Sequence, residues 1–299
     1  MAAANQTPVD VLLHITDLHF WEVVTNPLKL FNKRFLGNAN VLLRRRYEMH
    51  TERADEFARV LAATGVTTLL AGGDLSSTAT DREFAMAAGF MHQLEQRGLR
   101  VIVMPGNHDR YTFEATRKRR FEQHFAGFLP AVVWPCRVLL PGGTPLILVP
   151  TVCPNMLSSR GRITDAELRR SAELLQACPP GPVLVAGHYP ALDQTPTYRT
   201  SWARRLRNAA ALQHTFGASG RTILYLAGHI HRFSYTQDIL YPQLQHLCTP
   251  ALFMARKAAA GAFCEVHVQP GGYHVYHHRR QGVWHRERQY PTLPESGQL

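Results

Sequence analysis

Short apolar runs alternate with longer amphipathic stretches through the first third of the chain. The apolar runs have the length of buried strands, and the amphipathic stretches repeat their apolar residues at helical spacing. They predict a strand at 9–15, a helix at 51–63, a strand at 67–71, a helix at 81–97 and a strand at 100–104. This alternation predicts parallel strands that are joined by helical crossovers.

The rest of the chain continues the same pattern. It predicts strands at 146–150, 182–186 and 221–227, helices at 164–177 and 201–215, and closing antiparallel strands at 244–249, 262–268 and 273–278. Thr164 and Glu167 have the spacing of a capping box at the start of a helix. Because no repeat or long linker divides the sequence, residues 1–299 are predicted to form one α/β domain, with an insertion at 20–50 and a loose tail at 290–299.

Polar side chains follow five of the predicted strands at their carboxyl ends, where open α/β sheets bind ligands. They are Asp17 and His19, then Asp74, then Asn107, His108 and Asp109, then His188, and finally His229 and His231. We therefore expect them to meet at one rim of the fold. Residues two apart, such as Asp17 and His19, would face the same side of an extended backbone.

These residue types suit a metal centre. Imidazole and carboxylate groups bind manganese, iron, zinc and similar divalent ions. A carboxylate such as Asp74 has two oxygens and can bridge two ions, and an ion pair about 3.5–4 Å apart can clamp a phosphate. Each motif alone has an ordinary structural explanation, but the ordered set favours a dinuclear site for phosphoester chemistry.

The motifs DxH, GGD, GNHD, GHYP and GHIH, in this order from Asp17 to His231, resemble those of the calcineurin-like metallophosphoesterase superfamily. The resemblance implies a four-layer α/β/β/α sandwich with two divalent ions, with manganese expected and iron, zinc or magnesium as alternatives. It implies that Asp17, His19, Asp74 and His231 hold one ion, and that Asp74, Asn107, His188 and His229 hold the other. His108 would stabilise or protonate the leaving oxygen, and Asp109 would orient His108.

Composition and charge limit the partners and the cellular location that we expect. The net charge of +11 favours anionic partners, and the odd number of cysteines, five, argues against a disulfide framework. No apolar run reaches the length of a membrane-spanning helix, and residues 1–8 do not have the pattern of a signal peptide. We expect a cytoplasmic protein that acts on a phosphate-containing substrate, and the sequence leaves its oligomeric state open.

The insertion at 20–50 suggests an amphipathic helix with a basic rim. Its apolar face includes Phe31 and Phe35, and its basic residues include Lys33, Arg34 and the run Arg44, Arg45 and Arg46. Such a segment can lie on an anionic membrane. It could equally line an acyl-chain pocket or simply pack on the core.

The insertion resembles those of bacterial phosphoesterases that act on lipid-linked substrates, specifically the chlamydial-type UDP-2,3-diacylglucosamine diphosphatases of lipid A biosynthesis. The resemblance implies cleavage of a lipid-linked nucleotide to UMP and lipid X by a protein peripheral on the inner membrane.

Two other functions remain open from the sequence. One is a soluble phosphodiesterase for cyclic nucleotides or other small esters. The other is a nucleic-acid-binding protein or nuclease, which the charge favours but no recognisable nucleic-acid-binding module supports.

Overall fold

The computed structural model describes residues 8–23, 46–155, 158–256 and 259–294. Two six-stranded sheets pack face to face, and helices cover the outer face of each. This arrangement confirms the predicted four-layer sandwich. The predicted helical insertion after the first strand falls mainly on residues 24–45, which lie outside the described residues.

Sixteen strands occur in the described residues. In chain order they are β1 (Asp10–Ile15), β2 (Thr68–Ala71), β3 (Arg100–Val103), β4 (Cys136–Leu139), β5 (Pro145–Leu148), β6 (Val183–Ala186), β7 (Gln194–Thr195), β8 (Tyr198–Arg199), β9 (Ile223–Ala227), β10 (Ser234–Gln237), β11 (Leu244–Cys248), β12 (Ala255–Arg256), β13 (Ala259–Ala260), β14 (Ala262–Gln269), β15 (Gly272–Gln281) and β16 (Val283–Gln289). The first sheet has the order β16-β15-β14-β1-β2-β3, and the second has the order β10-β11-β9-β6-β5-β4. The pairs β7-β8 and β12-β13 form separate two-stranded ribbons.

The helices lie between the strands, as the crossover pattern requires. They are α1 (Ala54–Ala63), α2 (Asp81–Gln96), α3 (Phe113–Arg117), α4 (Arg120–His124), α5 (Asp165–Gln176) and α6 (Ala209–Gly217). Short helical turns occur at Arg46–Glu48, Thr51–Arg53, Ala126–Phe128 and Trp202–Arg204. Both α2 and α5 begin with a capping box, and that of α5 is the predicted pair Thr164 and Glu167. In the described part of the chain, no helix has the length and apolar character required to cross a bilayer.

Neighbouring residues of each central strand face different cores, because side chains alternate across a strand. In β1, Leu12 packs in the core between the two sheets, whereas Leu13 packs with α1 and α2 on the outer side of the first sheet. In the second sheet, Leu184 faces the inter-sheet core and Val185 packs against the helices α5 and α6. Burial on both faces explains why these strands read as continuous apolar runs.

Two predicted features differ in the structure. The predicted helix at 201–215 is a short turn at Trp202–Arg204, then irregular chain, then α6, because residues 203–207 bond to the backbone at 159–161 instead. The strand at 244–249 was expected to be antiparallel, but β11 pairs parallel with β9 and antiparallel only with β10. The strands β4, β10 and β16 were not predicted.

Candidate dinuclear metal site

The predicted site residues lie just after the carboxyl ends of five strands. Strands β1, β2 and β3 come from the first sheet, and β6 and β9 come from the second. The loops after β1 and β2 are joined by backbone hydrogen bonds from Asp17 to Gly73 (2.9 Å) and from His19 to Asp74 (2.9 Å). The backbone N–H of His229, which follows β9, donates to Asp17 Oδ2 at 2.9 Å, so the two sheets share one rim and both contribute side chains to it.

The backbone at this rim is unusual. Seven described residues other than glycine have positive φ, and five of them are predicted ligands: Asp17, His19, Asp74, His229 and His231. Positive φ is uncommon for residues other than glycine, although Asp and His adopt it more readily than most, and such conformations concentrate at functional sites. Asp17 and His19 thus converge through two left-handed turns, and not through the extended backbone that their spacing suggested.

Two glycines allow the loops to approach each other. A Cβ at Gly106 would collide with the backbone and carboxylate of Asp74, and a Cβ at Gly228 would lie 2.5 Å from Asp17 Oδ2. These positions need glycine because of close approach, whereas Gly73 also has a positive φ of 100°.

A first group of side chains gathers around Asp17. His231 Nε2 lies 3.1 Å from Asp17 Oδ1, and His19 Nε2 lies 3.8 Å from the same oxygen. The two Nε2 atoms are 3.1 Å apart. Asp17 is fully buried, and no described residue donates a hydrogen bond to its Oδ1. Three possible ligand atoms therefore point at one small volume, as a cation site requires.

A second group gathers around His188. Its Nε2 lies 3.3 Å from Asp74 Oδ1 and 3.2 Å from Asn107 Oδ1. The Nδ1 of His229 lies 2.9 Å from the same Asn107 oxygen. Two imidazoles, a carboxylate and an amide oxygen again converge.

Asp74 connects the two groups. Its Oδ1 faces His188, while its Oδ2 lies 3.7 Å from His19 Nε2. The backbone N–H of His108 donates to Oδ1 at 2.7 Å. The two oxygens of one buried carboxylate thus face the two groups, which is the arrangement that a bridging ligand needs.

Backbone carbonyls accept from the other nitrogen of several histidines. His188 Nδ1 lies 3.0 Å from the carbonyl of Gly72, and His229 Nε2 lies 2.8 Å from that of Arg204. Such bonds fix the tautomer and leave the opposite nitrogen as a lone pair that faces a metal. The bonds therefore leave Nε2 of His188 and Nδ1 of His229 as the nitrogens that could bind a cation.

The charges inside the site also suit a cation. Burial alone would raise the pKa of Asp17, but His231 outweighs it and holds that pKa well below its usual range. Burial would lower the pKa of His188, but Asp74 raises it to about 9, whereas burial and His188 together lower the pKa of His229 to about 3. The orphaned Asp17 oxygen and the mixed nitrogen and oxygen donors fit two divalent ions.

His108 and Asp109 lie beside these groups and make different contacts. His108 is half-buried, its Nδ1 is 2.7 Å from the carbonyl of Ser77, and its ring stacks on Tyr111 at 5.1 Å. The Asp109 carboxylate accepts hydrogen bonds from Gly106, Leu75 and Ser76, so it ties the loop after β3 to the loop after β2. Burial and the nearby Asp74 raise the pKa of Asp109 to about 6.

The predicted substrate or membrane residues are not tested by the described part of the chain. Phe31, Lys33, Arg34, Phe35, Arg44 and Arg45 lie outside the described residues, and Arg46 only begins a helical turn.

Sequence reasoning missed the neighbours that support the histidines. Tyr189 packs 4.1 Å from the ring of His229, and Arg204 supplies the carbonyl that binds it. Tyr189 lies inside the GHYP motif, which is a reason in the sequence to expect it at the site. Nothing in the sequence indicated Arg204, because a backbone carbonyl can come from any residue.

The model of one protein family matches residues 11–233, about three quarters of the chain, and its description is calcineurin-like phosphoesterase. The chain belongs to the calcineurin-like phosphoesterase family. Membership makes it a metal-dependent phosphoester hydrolase, and all five motifs at the rim fall inside the matched range. No curated protein shows significant sequence similarity to the chain.

Solved structures of similar fold include two phosphatases. A dimetal phosphatase from Danio rerio has a TM-score of 0.63 at 12% identity, with 95% of this chain and 100% of that chain covered. A purple acid phosphatase from yellow lupin, Lupinus luteus, has a TM-score of 0.58 at 11% identity, with 97% of this chain and 55% of that chain covered. At these identities the likeness concerns the fold alone.

Proposed function

We propose that the chain hydrolyses phosphodiester or pyrophosphate bonds at a dinuclear centre in which Asp74 bridges two divalent ions, with manganese as the expected metal. The observation that carries this proposal is the placement of Asp74 between two groups of ligand atoms, each of which includes a pair of histidines. When bound, two such ions supply positive charge that polarises a phosphoryl oxygen and lowers the pKa of a water molecule.

His108 is proposed to act on the leaving group. Because the Ser77 atom that faces Nδ1 of His108 is a carbonyl oxygen, which can only accept, Nδ1 carries the proton, and we propose that Nε2 faces the substrate. In its doubly protonated form, His108 would give the Nε2 proton to the leaving oxygen. Stacking on Tyr111 fixes the plane of the ring.

Asp109 is proposed as a positioning residue. Its carboxylate holds the loop that carries Asn107 and His108 against the loop that carries Asp74. It would orient His108 through the backbone, and loss of Asp109 would move a metal ligand and the proton donor together.

For the substrate, we propose UDP-2,3-diacylglucosamine, cleaved to UMP and lipid X in lipid A biosynthesis by a cytoplasmic protein peripheral on the inner membrane. Support comes from the resemblance of the 20–50 insertion and from the net charge of +11, which favours anionic lipid and a pyrophosphate. Hydrolysis of small phosphodiesters at the same centre is the alternative that the test must separate, and binding of nucleic acid has no support beyond the charge.

The test incubates purified protein and Mn²⁺ with UDP-2,3-diacylglucosamine in detergent micelles and measures UMP. Cyclic AMP and bis(p-nitrophenyl) phosphate are comparison substrates, and His108→Asn is run beside the wild type. We expect UMP release that falls about 10²–10⁴-fold in His108→Asn while the metal content is unchanged.

The outcomes separate the parts of the proposal. Hydrolysis of the small esters alone would remove the lipid substrate and keep the dinuclear chemistry. Failure to hydrolyse any substrate with two metals bound would contradict the catalytic proposal itself.

A further inference from the structure

One side of the metal site is formed by a short two-stranded segment that we call the wall, residues 158–161 and 201–207. Backbone hydrogen bonds join its two parts: Ser159 donates to Ala203 (3.0 Å), Gly161 donates to Arg205 (3.2 Å), and Arg207 donates to Gly161 (3.1 Å). This pairing displaces the helix that the sequence predicts at 201–215. The wall therefore has a defined backbone and does not behave as a free loop.

The wall is attached directly to the metal ligands. The Arg204 carbonyl accepts from His229, and the Ser159 carbonyl accepts from the hydroxyl of Tyr189 at 2.5 Å. A Cβ at Gly161 would lie 2.5 Å from the Thr151 carbonyl and 2.7 Å from the Tyr189 ring, so the backbone is in close contact there. A side chain on the wall is consequently held at a fixed distance from the site.

Trp202 stands on this wall with most of its surface in solvent. Its exposed fraction is 62%, although tryptophan is usually well buried. The Arg160 guanidinium carbon lies 4.5 Å above the indole ring, so the arginine covers one face. Trp202 is two residues from Arg204 in the same helical turn, which places its backbone within about 7 Å of the carbonyl that binds His229.

The wall also carries cations that are not neutralised by acids. Within the described ranges, Arg160 and Arg204 form no ion pair, whereas Arg205 pairs with Asp193 at 2.8 Å. The Arg160 Nε is buried without a hydrogen-bond partner in that part of the chain. An open aromatic face beside unpaired guanidinium groups is how proteins bind the base and phosphate of a nucleotide.

We propose that Trp202 and Arg160 form a specificity subsite in which the nucleobase of the substrate stacks on the open face of Trp202. Arg160 holds the indole in place from the opposite face and contributes positive charge beside the phosphate. The subsite rests on the proposed phosphoester hydrolysis and adds its substrate class, an ester whose non-leaving group is a nucleoside.

The experiment compares two esters with the same leaving group, thymidine 5′-(p-nitrophenyl phosphate) and methyl p-nitrophenyl phosphate. Trp202→Ala is expected to raise the KM of the thymidine ester about tenfold, the loss expected for one stacked base, and to leave the methyl ester unchanged. Trp202→Phe should restore most of the affinity because it keeps an aromatic face. Arg160→Gln should raise the same KM about two- to fivefold.

Tyr290→Ala is the matched control. Tyr290 is also an exposed aromatic residue beneath an arginine, Arg288, but the adjacent Gln289 lies on the edge strand β16, three strands away from β1, which leads to Asp17. Its loss should change neither KM. Equal changes for the two esters in Trp202→Ala would overturn the subsite.

A second measurement tests the subsite without catalysis. AMP should quench tryptophan fluorescence of the wild type but not of Trp202→Phe, and ribose 5-phosphate should quench neither. Quenching by AMP in a protein that hydrolyses no ester would keep the subsite and reject the proposed function. Ester hydrolysis without any Trp202-dependent quenching or KM change would keep the proposed function and reject the subsite.

Discussion

Two of the buried groups of carboxylates and histidines in the described structure differ in what satisfies the carboxylate. At the rim, within the described ranges, Asp17 Oδ1 accepts no hydrogen bond, and Asp17 and Asp74 form ion pairs only with histidines. At the other cluster, on β14, β15 and β16, Glu265 accepts from His267 (2.5 Å), His278 (2.7 Å) and Arg286 (2.9 and 3.0 Å).

The two clusters also differ in backbone conformation. The ligands at the rim follow strand ends in left-handed conformations, whereas Glu265, His278 and Arg286 sit within regular paired strands. A carboxylate that is saturated by N–H groups and a permanent cation has no lone pair left for a metal. Residue types alone therefore do not identify a metal site, and unsatisfied oxygens on constrained loops do.

The largest effect that would sharpen this contrast is expected from Asp74→Asn. Loss of the bridging charge should remove bound metal and lower ester hydrolysis by more than about 100-fold, because even the outer hydrogen-bond partners of metal ligands contribute 10–100-fold. Metal analysis after gel filtration and a bis(p-nitrophenyl) phosphate assay measure the two effects.

The matched control for Asp74→Asn is Asp238→Asn. Asp238 is also buried and paired with a histidine, His246 at 2.8 Å, but it lies in the turn before β11 and away from the ligands. It should retain both metals and activity. Full metal content in Asp74→Asn would show that the rim does not depend on a bridging carboxylate.

The sequence predicted the rim well for a physical reason. A polar motif directly after an apolar run marks the end of a buried strand, and parallel strands bring those ends to one edge. It could not predict the left-handed turns at Asp17 and His19, because these depend on hydrogen bonds to Gly73 and Asp74 from a distant loop.

The second cluster could not be predicted for a related reason. The histidines at 274, 277 and 278 have no acid near them in sequence, and His278 meets Glu265 only through the pairing of β14 with β15. The wall was missed in the same way, since residues 203–207 look helical alone and are held instead by the backbone at 159–161. In both cases, backbone pairing between segments that are distant in sequence determines the structure.

Glu265→Gln should test the structural side of the comparison with an intermediate effect. The change leaves His267, His278 and Arg286 without their anion, and we expect the free energy of unfolding to fall by about 1–3 kcal/mol. We expect no larger loss of unfolding free energy, because the Arg286 side chain is 44% exposed and solvent screens part of its charge. Urea unfolding followed by circular dichroism measures the change.

Metal content and hydrolysis should be unaffected in Glu265→Gln. The surface pair Glu287 and Arg279 provides the control, because Glu287→Gln removes an exposed partner and should cost less than about 1 kcal/mol. If Glu265→Gln released metal, the two clusters would be coupled and the comparison would fail.

The smallest expected effect is the pH dependence of the difference in unfolding free energy between wild type and Glu265→Gln. Burial would raise the pKa of Glu265, but the hydrogen bonds from His267, His278 and Arg286 outweigh it and hold the pKa well below its usual 4.5. A carboxyl whose folded-state pKa is lowered adds stability above its unfolded pKa and loses it as the pH falls below that value. The stability gap between wild type and Glu265→Gln should therefore narrow as the pH falls below about 4.5. Urea unfolding of both proteins in EDTA at each pH measures the gap without a contribution from bound metal. A gap that does not narrow between about pH 4.5 and lower pH would mean that Glu265 is not held as an anion by its three partners.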